Sequence, residues 1–168
     1  LVSGFPELSS NDIKAALGDH FSIEEVESAE AAWEAMEMDG GQEVFGIGTP
    51  SDGKWLLLRA TDTSPMKELA PEQSDVWRGL GVSILHRQIV DHLLKGKHPE
   101  ADPKFKFVHL MDEVHTGMNE KTCQLAILVM PAQIEHVQAI SEELERMPPK
   151  STFFYPKLLS GLVFNPLS

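Results

Sequence analysis

The spacing of apolar residues changes along the chain, and each change marks a predicted element. Ile13, Ala16 and Leu17 form a short stripe behind Ser9-x-x-Asp12, a pattern that predicts a capped helix start. Phe21–Val26 has the β-branched and aromatic content of a strand. Ser28 can cap a second helix in which Trp33 and Met36 share a face, Glu30, Glu34 and Glu37 line another, and Gly40-Gly41 ends the run. Val44–Thr49 and Lys54–Ala60 are strand-like runs joined by Pro50-Ser51-Asp52-Gly53, which reads as a β-hairpin turn. Thr61–Gln73, with two prolines, predicts a loop.

The longest predicted helix starts at Ser74 or Asp75 and runs to about Lys95. Val76, Leu80 and Ile84, then Leu85, Ile89 and Leu93, recur there at spacings of four, although Gly79 and Gly81 weaken its first half. Phe105–Leu110 predicts a strand, and Asp112 a cap for a short helix. The continuous apolar run Leu125–Met130 suits a strand covered on both faces. Ile134, Val137, Ile140 and Leu144 mark an amphipathic helix, stopped by Met147-Pro148-Pro149, and Leu162–Phe164 can form a last strand. Helices and strands interleave without a strict βαβ repeat. The pattern predicts a single α+β domain, with mixed α/β as the variant, in which helices pack on a largely antiparallel sheet.

With 168 residues the chain has the length of one domain. Its net charge of −12 argues against nucleic-acid and anionic-membrane partners, both of which require a cationic surface. No apolar run reaches the roughly 18 residues of a membrane span. A single cysteine excludes a disulfide framework and a cysteine-rich zinc site, so a cytoplasmic location is expected. The acidity is uneven. Residues 1–50 hold 11 acids against Lys14, whereas the last 23 residues hold Arg146, Lys150 and Lys157 and no acid. An anion would approach that tail before it approached the N-terminal third.

The tail is also the most unusual stretch. Between and beside its prolines, Met147-Pro-Pro-Lys-Ser-Thr-Phe-Phe-Tyr-Pro-Lys157 sets Lys150, Ser151, Thr152, Tyr155 and Lys157 around two phenylalanines. An ammonium beside hydroxyls and free backbone N–H groups suits a phosphate or carboxylate. The competing reading is a crossing segment whose Phe153 and Phe154 pack in the core. His86 and Arg87, midway along the long predicted helix, are the accompanying candidates, His86 as a partly buried acid or base. His109, Asp112 and His115 fall at spacings of three, but they lack the His-Glu-x-x-His pattern, and no metal is expected. Cys123 has no neighbouring base, and Ser160-Gly161 lacks the nucleophile elbow. Gly46-Ile47-Gly48 falls in a strand rather than before a helix, and no phosphate loop is present, so no cofactor is expected.

From Met147 to Val163 the chain reads Met-Pro-Pro-Lys-Ser-Thr-Phe-Phe-Tyr-Pro-Lys-Leu-Leu-Ser-Gly-Leu-Val. This resembles the C-terminal signature of an uncharacterised bacterial and archaeal family, domain of unknown function 1015. Val82-Ser83-Ile84-Leu85-His86 resembles that family more loosely, as does an apolar strand ending at Pro131 before a helix and the Met-Pro signature. Where the family often has a glycine before Met-Pro, this chain has Leu144-Glu145-Arg146. The resemblance implies the C-terminal part of a longer protein, with its N-terminal domain as a partner, and supplies no catalytic residue. Two functions are therefore expected in competition. One is a domain that binds a phosphorylated or carboxylated small molecule through the tail, as part of a larger enzyme. The other is a non-catalytic domain that contacts the N-terminal part or another protein.

Overall fold

The computed structural model describes residues 1–151. Its strands are β1 (Val2–Ser3), β2 (Phe21–Val26), β3 (Val44–Thr49), β4 (Lys54–Ala60), β5 (Lys104–Phe105) and β6 (Ala126–Val129). The four longer ones form an antiparallel sheet in the order β2-β4-β3-β6, and β1 and β5 pair as a separate antiparallel ribbon. A bridge between Val2 and Leu125 joins the ribbon to the start of β6. The domain is α+β with wholly antiparallel ladders among the described residues, and both hairpin strands keep their predicted limits.

Side chains alternate across the sheet, and both faces are covered. On one face Phe21, Phe45, Ile47, Leu56 and Leu58 pack with Ile13 and Leu17 of α1 (Ser10–Leu17) and with Ile84, Ile89 and Leu94. On the other, Val44, Trp55, Leu57 and Leu128 meet Ala29, Ala32 and Met36 of α2 (Ala29–Asp39). All six residues of β3 are buried as a result. Gly48 is required there, because a Cβ at that position would lie 2.7 Å from the Trp55 ring.

α1 opens with the predicted capping box: Asp12 N–H donates to Ser9 Oγ at 3.3 Å and Ser9 N–H to Asp12 Oδ2 at 2.8 Å. The hairpin turn is latched onto the same helix end. Asp52 accepts from Ser10 N–H at 2.9 Å and Ser10 Oγ at 2.7 Å, and Ser51 Oγ donates to the Leu8 carbonyl at 2.6 Å. Gly53 completes the turn at φ 68°, a left-handed conformation that glycine adopts without a Cβ penalty.

Three predicted elements are corrected. The long helix over 75–95 is broken into α4 (Asp75–Arg78), α5 (Gly81–Ile84), a π-helix (Leu85–Leu94) and α6 (Lys95–Lys97). The break falls at Leu80, whose ψ of 136° leaves the helical path between the first two, flanked by the weak helix formers Gly79 and Gly81. The strand expected over 105–110 shortens to β5, since residues beyond Lys106 have no partner strand. Asp112 lies inside α7 (Met111–Asn119), whose entry is instead closed by Glu113 accepting from His109 and Leu110 N–H. Thr61–Gln73 also holds one short helix, α3 (Met66–Leu69).

α8 (Ile134–Glu142) forms where expected, but it buries Ile140 alone; Ile134 is 65% exposed and Leu144 94%. It ends before the prolines, at a left-handed Leu144. No helix among the described residues is long and apolar enough to cross a membrane. The strand expected at Leu162–Phe164 lies outside the described residues.

Candidate functional site

The chain reaches the tail through a fixed sequence of anchors. After α8, the Glu145 carboxylate accepts from Ser74 N–H and Ser74 Oγ, each at 2.6 Å, and so ties the exit of α8 to the N-cap of α4. Met147 packs against the core and Pro148 is buried. The chain then turns: Ser151 Oγ donates to the Pro148 carbonyl at 2.7 Å, and Ser151 N–H reaches the same oxygen at 3.3 Å.

Lys150 sits at the corner of this turn with φ 61°, a left-handed conformation that costs a lysine roughly 1–2 kcal/mol. Its side chain is exposed and joins no ion pair or hydrogen bond among the described residues. Thr152, Tyr155 and Lys157 lie outside the described residues.

His86 and Arg87 occupy the first turn of the π-helix. The His86 ring is half-buried and packs at 4.5 Å from the Phe105 ring of β5. Burial lowers its pKa below the ordinary 6.5; Arg87 reinforces the shift and Asp91 opposes it. Arg87 is exposed. Among the described residues no hydrogen bond or ring contact links this pair to Lys150 or Ser151.

The histidines near α7 are not assembled as ligands. His115 Nε2 lies 2.5 Å from Glu30 Oε1, joining α7 to α2, and no group of three or more metal-binding side chains occurs among the described residues. Cys123 is buried, its thiol directed to the Gly117 carbonyl at 3.7 Å, and burial raises its pKa, the wrong direction for a nucleophile.

Two features were not singled out in the sequence. A cleft of about 480 Å³ is lined by Thr61, Thr63, Ser64, Lys67 and Arg78 together with Asp62 and other carboxylates. Arg78 is largely spent on its own loop: it donates to the Ala70 and Gln73 carbonyls and to Asp75. The fully buried Gln88 donates from Nε2 to the carbonyl of Asp62 in the cleft wall at 2.8 Å, while its Oε1 and the buried Ser83 Oγ have no partner among the described residues. These pairings cross 26 or more residues or sit within short loops, where periodicity carries no signal. Comparison with protein-family models, curated proteins and solved structures finds no match to the chain.

Proposed function

We propose that this domain is the C-terminal part of a longer cytoplasmic enzyme of the family its tail resembles, and that the tail binds a phosphorylated or carboxylated small molecule. The observation that carries this reading is Lys150: an exposed cation with no ion pair or hydrogen bond among the described residues, held in a left-handed turn two residues after the buried Pro148. Strain of this kind concentrates where a side chain is held for a ligand. Lys150 and Lys157 would neutralise the anion, and Thr152 and Tyr155 would orient it. The Ser151 hydroxyl is already donated to Pro148 and retains only its acceptor capacity.

Thermal shift with inorganic phosphate, sugar phosphates and dicarboxylates tests this. A ligand at 100 times its Kd stabilises by about 2.7 kcal/mol. Lys150→Ala removes that gain. Lys150→Gly removes it too, while raising the stability of the free protein by up to about 1 kcal/mol through relief of the left-handed strain. A ligand that stabilises the wild type and both variants equally refutes the tail site.

The second reading, a non-catalytic interaction domain, is favoured by a different observation. Leu110, at 64% exposure, joins Ile134 and Leu144 as large apolar side chains left in solvent. Co-purification of the N-terminal part with the wild type but not with Leu110→Glu or Ile134→Glu variants would support it.

A further inference from the structure

β5 is the outermost strand of its ribbon. Val2 lies between Leu125 on one side and Phe105 on the other, and no strand pairs with the far edge of β5 among the described residues. Leu1 and Lys106 exchange both backbone hydrogen bonds, each at 2.9 Å. In an antiparallel ladder bonded pairs alternate with non-bonded ones. The backbone N–H and C=O groups of Phe105, and the N–H of Phe107, therefore face outward, and no hydrogen bond to them occurs among the described residues.

The side chains along this edge alternate as Lys104-Phe105-Lys106-Phe107. The two phenyl rings stack at 6.3 Å with planes 20° apart, and His86 supports Phe105 from behind. Phe107 remains 46% exposed. On the opposite side of the strand, the Lys104 side chain is 75% exposed and touches Asp102 only at 4.0 Å. Lys106 borders a cavity whose wall includes Asp112 and Glu113. Residues 87–106 carry five basic and three acidic side chains, in contrast to the strongly acidic first 50 residues.

We infer that the β5 edge accepts an extended segment of a partner protein by strand addition, and that this segment alternates apolar with acidic residues. Outward backbone groups supply the hydrogen bonds, the Phe105–Phe107 pair receives the apolar side chains, and Lys104 and Lys106 receive the carboxylates. A second copy of this chain is the poorer occupant. Antiparallel pairing of two β5 edges about Phe105 sets Lys104 against Lys106, like charges directly opposite each other. The inference is independent of the tail site.

The test uses a fluorescein-labelled eight-residue peptide alternating glutamate with valine or phenylalanine, titrated against the whole chain by anisotropy. Expected are saturable binding and slowed amide exchange at Phe105 and Phe107. Weakening of about tenfold or more is expected on N-methylating the peptide's inward amides, and again in Phe107→Ala. Lys104→Glu with Lys106→Glu should transfer the preference to a lysine-for-glutamate peptide, and Lys150→Ala should bind like the wild type. No binding up to about 1 mM overturns the inference, and leaves the lysines as guards of a bare edge. Equal binding of the N-methylated peptide also overturns it. So does a dimer in sedimentation that Phe107→Ala disperses, since the occupant is then a second copy.

Discussion

Replacing Asp52 by asparagine should detach the hairpin turn from α1 and make the loss visible as a function of pH. The carboxylate joins three places: Oδ1 accepts from Thr49 Oγ1 at 2.5 Å, and Oδ2 accepts from the backbone and hydroxyl of Ser10. Desolvation pushes its pKa up, but hydrogen bonds from Thr49, Ser10 and the Lys54 backbone together outweigh that and bring it from 3.8 to about 2. Linkage converts this lowering into about 2.4 kcal/mol at neutral pH. Because Asp52 is exposed, screening reduces the expectation to about 1–1.5 kcal/mol. The folded-state pKa is the lower one, so the contribution is complete above about pH 4 and is lost as pH falls through about 2. Asparagine keeps the shape but has one acceptor oxygen instead of two. Urea and thermal denaturation of Asp52→Asn beside the wild type, from pH 7 to pH 2, should show a Tm lower by about 3–5 °C at pH 7. The gap should close towards pH 2. Taking the difference between the two proteins cancels the titration of all other carboxylates. A gap that is absent at pH 7, or as wide at pH 2 as at pH 7, refutes the reasoning.

Other changes have equally definite outcomes. Gly48→Ala drives a methyl into the Trp55 ring and the Met118 side chain, and should cost about 1–3 kcal/mol in urea denaturation, with altered tryptophan fluorescence. Ser83→Ala should raise stability by about 1 kcal/mol, because the Ser83 hydroxyl is buried with no partner among the described residues; a loss of that size refutes this. Glu145→Gln should cost about 1–2 kcal/mol by weakening the charge-assisted cap of α4, and a double-mutant cycle with Ser74→Ala should give a coupling of about 1 kcal/mol.

The parts of the fold legible in the sequence are those whose cause is local. The hairpin over 44–60 was readable because Pro50–Gly53 fixes the turn and every residue of β3 is apolar, small or at the turn. The Ser9 and Ser28 caps were readable because their partners lie three residues away. α8 was only half legible: its stripe is correctly helical, but its contacts fall mainly on α4 at the edge of the molecule, so most of the stripe stays in solvent. In the candidate site, Lys150 and Ser151 take up one turn as adjacent residues must. The placement of His86 beside Phe105 and the Glu145–Ser74 bond join residues far apart in sequence, and no spacing rule anticipates them.

The π-helix shows why a correct periodicity can still mislead. At 3.6 residues per turn, Leu85, Ile89 and Leu93 form one face, and Val90 and Leu94 turn away from it. Widening the turn to bonds five residues apart gathers Leu85, Ile89, Val90 and Leu94 on the core side and leaves Leu93 half-exposed. Both stripes are apolar, so the sequence permits either register. Burial against Ile13 and Leu17 of α1 and the sheet favours the wider one. Gln88 is fully buried in this helix, where its amide donates to the Asp62 carbonyl and its Oε1 has no hydrogen-bond partner among the described residues. Burying that amide without a partner for its oxygen costs free energy, so the register is held by the apolar burial of Leu85, Ile89, Val90 and Leu94 rather than by Gln88.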